Sequence, residues 1–157
     1  MRCQQNWILV LEKLPEAGNS GIFYHLKEGY KSPPGHSPEY QLIDDLKWGV
    51  VNNAELLDWQ KTGADYAMHV PNESKKNVKP AGEWNNSKII FTSERVEHWL
   101  NGNLILSFVP WSEDWYDRKN SGEWKDSPEY GKQKKGFIGL QDHDSPIWFK
   151  NIKIKKL

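Results

Sequence analysis

A single cysteine, Cys3, excludes an internal disulfide and leaves the redox compartment open. No stretch approaches the roughly 18 consecutive apolar residues that a membrane-spanning helix requires. Charge of one sign is absent as well. The 21 basic and 21 acidic side chains cancel, so no basic field is offered to a phosphate backbone and a nucleic-acid partner is disfavoured. No nucleophile-elbow serine, glycine-rich phosphate loop or paired-cysteine motif occurs. The first residues lack the basic and apolar regions and the small-residue cleavage site of a secretory signal, which predicts a cytoplasmic protein if the sequence is complete. Aliphatic residues are scarce too, at a mean hydropathy of −0.82.

What the sequence holds in excess is aromatic rings: nine Trp, six Tyr and five Phe. Rings must then supply much of the apolar area, either filling a β core or presenting flat faces to a ligand. A length of 157 residues fits one domain, 1–157, able to bury a core without disulfide or metal staples.

Hydrophobic alternation at period two predicts strands at 7–14, 21–27, 38–43, 63–70, 88–92, 95–100, 104–108, 137–141 and 148–155. Asn101-Gly102-Asn103 is the clearest turn, because Asn-Gly between two apolar alternations is a strong hairpin signal. One short helix is expected over 53–61, with Asn53 as its N-cap. Many short strands and one helix predict an all-β sandwich or jelly roll. The stretch 110–135 carries Trp111, Trp115, Tyr116, Trp124 and Tyr130 among polar residues. It is too long for a plain connection and too aromatic for disorder, which predicts an ordered flap.

Alternate residues of a strand share a face. Ile22, Tyr24 and Leu26 are expected inward, sending Phe23 and His25 outward; Tyr40 and Leu42 inward, sending Glu39 and Gln41 outward. Val96, His98 and Leu100 are expected inward, with Glu97 and Trp99 outward. Ile138 and Leu140 are expected inward, with Gln141 and His143 outward. The outward sets combine carboxylates, amides, imidazoles and a ring. That mixture suits a sugar, whose hydroxyls take amides and carboxylates and whose C–H face takes a ring, although outward faces of antiparallel sheets are polar in any case. His98, on core parity, reads either as a hydrogen-bonded core histidine or as a second-choice base.

Ordinary glycosidase chemistry needs two carboxylates roughly 5–10 Å apart. Glu39 and Asp44 lie five strand steps apart, about 16 Å, and on opposite faces. The strand therefore supplies no acid–nucleophile pair. Gln141-Asp142-His143-Asp144 offers metal-type ligands, with Glu97 and His98 as further donors, but neighbours on a strand diverge. A divalent metal ion stays an option, with its ligands undetermined.

Seven strings occur in a recognisable order. They are Gly18-Asn19-Ser20-Gly21-Ile22-Phe23, Pro38-Glu39-Tyr40-Gln41, Thr62-Gly63-Ala64-Asp65-Tyr66 and Pro80-Ala81-Gly82-Glu83-Trp84-Asn85. Arg95-Val96-Glu97-His98-Trp99-Leu100-Asn101-Gly102, Gly139-Leu140-Gln141-Asp142-His143 and Phe149-Lys150-Asn151-Ile152-Lys153-Ile154 follow. Their order and content resemble the 3-keto-disaccharide hydrolase domain family over nearly the whole chain.

The resemblance implies a concanavalin-like jelly roll of two antiparallel sheets with a sugar site on the concave one. It also implies a disaccharide or glycoside substrate oxidised to a ketone at C3, and a bacterial protein of the periplasm or exterior. A C3 ketone acidifies the C2 hydrogen, so one base and an electrophile for the enolate suffice, and no matched carboxylates are needed. Glu39 and His143 are the expected bases, with His98 second, and His25, Gln41, Glu97, Trp99 and Gln141 are expected to bind substrate. Members usually carry arginine where this chain has His25, which makes any contact there pH-dependent. They also carry several strands ahead of the one at 7–14, so an exposed sheet edge is expected here, opening a route to a homodimer. Two other readings are a non-catalytic carbohydrate-binding module and an interaction domain that completes its sheet with a partner strand.

Overall fold

The computed structural model describes residues 6–30 and 32–156. Cys3 lies outside the described residues. Eight strands form in chain order: β1 (Asn6–Lys13), β2 (Asn19–Leu26), β3 (Glu39–Ile43), β4 (Asn85–Phe91), β5 (Val96–Leu100), β6 (Asn103–Phe108), β7 (Phe137–Leu140) and β8 (Trp148–Lys156). Two antiparallel sheets result, five-stranded in the order β6-β5-β4-β1-β8 and three-stranded in the order β3-β2-β7. This is the sandwich that the periodicity predicts, with the concanavalin-like architecture that the resemblance implies.

Alternation does what the physics of a two-faced sheet requires. Along β4, Asn85, Ser87, Ile89 and Phe91 are buried while the residues between them are half-buried. Ile8, Val10, Ile22, Tyr24, Tyr40, Leu42, Ile89, Phe91 and Val96 form one core between the sheets. Full burial of each large apolar side chain contributes about 1.5–3 kcal/mol. Tyr24 stacks on Phe91 with centroids 5.5 Å apart. The β5–β6 turn runs through Asn101 and Gly102 at φ 48° and 88°, the left-handed pair that a tight hairpin needs.

Several local expectations are corrected. The segment 63–70 is not a strand. It lies along β3 long enough for the Gly63 and Tyr66 N–H groups to donate to Gln41 O and Glu39 O and for Ala64 O to accept from the Gln41 N–H, then reverses at Ala67, whose φ is 61°. The α-helix near residue 53 runs earlier, α1 (Trp48–Asn52), and Asn53 ends it in the left-handed conformation instead of starting it. A second helix, α2 (Glu113–Ser121), lies in the aromatic flap, capped by Ser112. Among the described residues, no helix is long and apolar enough to cross a membrane.

His25 also takes a left-handed φ, 57°, and breaks the β2–β7 register. Parity flips there. His25 packs edge-on against core Phe91 at 4.7 Å, and Leu26 falls on the same face as Phe23, beside Gly139. Leu140 has the expected inward parity, opposite Ile22, yet remains 41% exposed.

Both faces of the small sheet are covered. Phe23, Glu39 and Gln41, on the side away from the main core, are all buried. The flap covers part of that side through a second cluster of Met68, Trp115, Trp124 and Tyr130. Tyr130 stacks on Trp115 and on Trp124 at 5.9 and 4.9 Å. The flap tryptophans thus hold the flap down.

Candidate functional site

A cavity of about 280 Å³ opens on the outer face of the three-stranded sheet. Glu39, Gln41, Gln141 and His143 all line it, together with Asn19, Trp48, Tyr66 and Trp124. Strand parity delivers Glu39 and Gln41 from β3. Hydrogen bonds deliver the other pair: the Gln141 backbone N–H donates to Gly21 O at 2.9 Å and the Ser20 hydroxyl donates to Gln141 O at 2.7 Å. Beyond them Asp144 turns the chain at φ 57°, and the Ser145 hydroxyl ties to the Asn19 backbone at 3.2 Å. His143 stands on this pinned turn, exposed at the cavity.

Glu39 is 3% exposed, and its Oε1 has no hydrogen-bond partner among the described residues. Burial pushes its carboxyl up to about 8, and the charge of Asp65 adds to the rise. Asp65 itself is engaged, accepting from the Tyr24 hydroxyl at 3.4 Å and lying 2.8 Å from His69 Nδ1. Gln41 Nε2 donates to Asn19 Oδ1 at 3.3 Å, while the buried Gln141 Oε1 has no partner among the described residues. The cavity therefore presents an unsatisfied carboxyl and an unsatisfied amide oxygen, both of which cost free energy unless something binds there.

The remaining candidates lie elsewhere. His98 is fully buried between the sheets, with Nδ1 2.9 Å from Gly63 O and Nε2 3.4 Å from the Tyr24 hydroxyl. Burial lowers its pKa to about 4, so it is a neutral core histidine. Trp99 and Glu97 belong to the five-stranded sheet, on its far face. There the indole N–H donates to Glu97 Oε2 at 2.9 Å, Arg95 pairs with Glu97 at 2.6 Å, and Lys88 sits 4.0 Å over the Trp99 ring. His25 is buried beside Trp111, its pKa lowered to about 4 by burial, and it does not line the cavity.

Trp48 and Asn19 complete the walls without having been singled out by strand parity, and so does Tyr66, which the strand expected over 63–70 would have sent inward to the core. Asn19 stands in the Gly18–Phe23 string, which is the signal that could have found it. Trp48 and Tyr66 sit on α1 and on a turn, where alternation carries no information. Among the described residues, no group of three or more His, Cys, Asp or Glu side chains is gathered as a metal site. Glu39 and His143 are donors of the type a divalent ion takes. A second cavity of about 280 Å³, lined by Glu12, Leu42, Asp45 and Lys76 among others, holds none of the candidate residues.

Fold and site together define a concanavalin-like β-sandwich with an amide- and carboxylate-lined cavity on its smaller sheet. The chain belongs to the 3-keto-alpha-glucoside-1,2-lyase-like domain family, whose profile matches residues 4–155. It is 33% identical to a 3-keto-disaccharide hydrolase of Bacteroides thetaiotaomicron over 98% of its own length, and it spans 59% of that relative. It superposes on a crystal structure of a candidate glycosyl hydrolase from Parabacteroides distasonis with a TM-score of 0.89 and 46% identity. That match covers 98% of this chain and 70% of the other. A second candidate glycosyl hydrolase from the same organism gives a TM-score of 0.74 at 27% identity, covering 97% of this chain and 78% of the other.

Proposed function

We propose that the cavity binds one ring of a glycoside oxidised to a ketone at C3, and that Glu39 starts its cleavage by removing the C2 proton. The convergence of Glu39, Gln41, Gln141 and His143 on one cavity carries this reading. A volume of about 280 Å³ is at the small end for ligand sites, which begin at roughly 300 Å³, and suits a single ring with its leaving group directed outward.

The chemistry follows from the ketone. Glu39 takes the C2 hydrogen as a proton, and the C–H electrons pass into an enolate spread over C2, C3 and the ketone oxygen. Amide N–H groups of Gln41 and Gln141 are the side-chain donors available to that oxygen. The enolate then collapses, expelling the C1 oxygen substituent, which takes its proton from His143 as general acid. The product is an unsaturated keto-sugar, and addition of water across its double bond completes a net hydrolysis. A carboxyl pushed up to about 8 is a stronger base than an ordinary one and is still partly ionised near neutrality. That β3 supplies no second carboxylate to pair with Glu39 is no obstacle to this route.

The test is incubation with a 3-keto-glucoside and detection of the unsaturated sugar or free reducing sugar. Turnover by the native chain, lost in Glu39→Gln and reduced in His143→Ala, is expected. Binding without turnover would make the chain a carbohydrate-binding module, and turnover retained in full by both variants would place the site elsewhere.

A further inference from the structure

We infer that the outer face of the five-stranded sheet is a second site, which binds a glycan bearing carboxylate or sulfate groups. It lies apart from the cavity on the smaller sheet and does not rest on the reading of that cavity. Cross-strand register sets the residues of this face side by side. Trp99, Lys88, Leu9 and Lys153 pair in turn across β5, β4, β1 and β8. One row along, Asn86, Leu11 and Lys150 pair across β4, β1 and β8, and Lys13 pairs with Trp148 beyond them. Lys155 extends the β8 row, opposite Trp7. Lys153 and Lys155 stand about 7 Å apart along the strand, and Lys88 stands roughly 10 Å from Lys153 across β1. These five lysines share one face of a chain whose 21 basic and 21 acidic residues cancel. Among the described strands of this sheet, Glu97 is the one acidic residue that faces outward, and Arg95 holds it at 2.6 Å.

The lysines are positioned but not neutralised. Lys13 Nζ lies 5.3 Å from the centre of the Trp84 ring and 4.5 Å from that of Trp148, and Lys150 Nζ lies 3.8 Å from the same Trp84 ring. Lys88 is held 4.0 Å over Trp99. Two ammonium groups thus share one indole. Neither they nor Lys88, Lys153 and Lys155 have an ion-pair partner among the described residues. Like charges this close repel, and an anion placed between them replaces the repulsion with two attractions. The rings hold the ammonium groups in place beforehand, so less side-chain freedom is lost when the anion binds.

The face also chooses among polyanions. Its main-chain groups are consumed by the strand ladders, so an acidic peptide finds no backbone partner there. A nucleobase needs a bare ring to stack on, and Trp84, Trp99 and Trp148 each carry an ammonium group over the ring. The apolar side chains Trp7, Leu9, Leu11 and Ile90 are half-buried among the lysines, which leaves little to insert into a lipid surface. A glycan asks for side-chain donors alone. The lysines take its carboxylates or sulfates, and Asn86, level with Lys150 across β1, adds an amide for its hydroxyls.

The experiment titrates the full chain by calorimetry with polygalacturonate, dextran sulfate and neutral dextran of matched length, beside poly-glutamate and single-stranded oligothymidylate. One or both acidic glycans are expected to bind about 10-fold tighter than the other three polymers. Which of the two binds more tightly separates carboxylate from sulfate recognition. Affinity is expected to fall as salt rises from about 0.05 to 0.5 M. The double variant Lys150→Gln, Lys153→Gln changes two exposed positions and is expected to lose about 10-fold in affinity. Glu39→Gln is expected to bind as the native chain does, because its cavity opens on the other sheet. No binding of either acidic glycan, equal binding of poly-glutamate or oligothymidylate, undiminished affinity in the lysine variant, or a loss in Glu39→Gln would each overturn the inference.

Discussion

The Glu39 carboxyl lies across Gly21 on the neighbouring strand, so near that a Cβ at residue 21 would overlap its Oε1. Residue 21 has no positive φ, so the requirement is for space and not for backbone freedom. Gly21→Ala must push the carboxyl aside. A displacement of about 1 Å at a reacting group costs on the order of 100-fold in rate, so kcat/KM for a 3-keto-glucoside is expected to fall by about that factor. Steady-state kinetics beside a thermal melt check this, with Tm expected to drop by only a few degrees.

Stability should depend on pH through four buried groups. Burial raises Glu12 and Glu39 to about 8 and lowers His25 and His98 to about 4. The raised carboxyls hold protons in the folded state that the unfolded chain releases above its ordinary value, so their stabilising effect is lost as pH rises to about 8. The lowered histidines act oppositely, and their effect is lost as pH falls from about 6.5 to 4. The two pairs of groups cancel between about pH 4.5 and 6.5, so Tm is expected to be flat across that range and to fall between pH 6.5 and 8.

Glu12→Gln isolates one of these groups. Glu12 Oε1 accepts from the Ser87 hydroxyl at 3.1 Å, and an amide oxygen preserves that bond while removing the ionisation. At pH 8 the variant is expected to melt on the order of 5 °C above the native chain, since each kcal/mol shifts Tm by roughly 2–4 °C at this size. At pH 5 the difference should nearly vanish. Melting curves at the two pH values read it directly.

Trp48 lines the cavity from α1 and is only half-buried, outside both hydrophobic clusters. Its removal should cost ring contact with the sugar more than it costs the fold. Trp48→Ala is expected to raise KM for the keto-glucoside about 10-fold with kcat within a factor of three, in line with about 1.4 kcal/mol of lost stacking. A matched fall in kcat would instead place Trp48 in the chemical step.

Trp99→Ala is the contrasting case. Its ring is engaged with Lys88 and Glu97 on the far face of the larger sheet. Both KM and kcat are expected to stay within twofold of the native values.

The difference between Trp48 and Trp99 marks what period two can and cannot say. Alternation tells which residues of one strand share a face, and it correctly put Glu39 with Gln41. It does not tell which sheet a strand joins, so Trp99 looked equivalent to Gln41 until β5 was placed in the other sheet. His25 was unreadable because its left-handed backbone flips parity without a glycine to announce it. Ala67 hid the reversal in 63–70 the same way. Asn53 suits either end of a helix, as an N-terminal cap or as a left-handed C-terminal stop, and only packing chose the second.

The pH dependence of keto-glucoside cleavage tests the role of Glu39 most directly. With Glu39 as the base that takes the C2 proton, kcat/KM of the His143→Ala variant, in which that general acid no longer titrates, should rise with pH and level off above about 8, the value to which burial has moved the Glu39 carboxyl. Glu39→Gln should lower kcat/KM by at least about 1,000-fold and abolish that rise. A His143→Ala profile that falls through pH 8, or a Glu39→Gln variant that keeps both its rate and its pH dependence, would contradict the assignment.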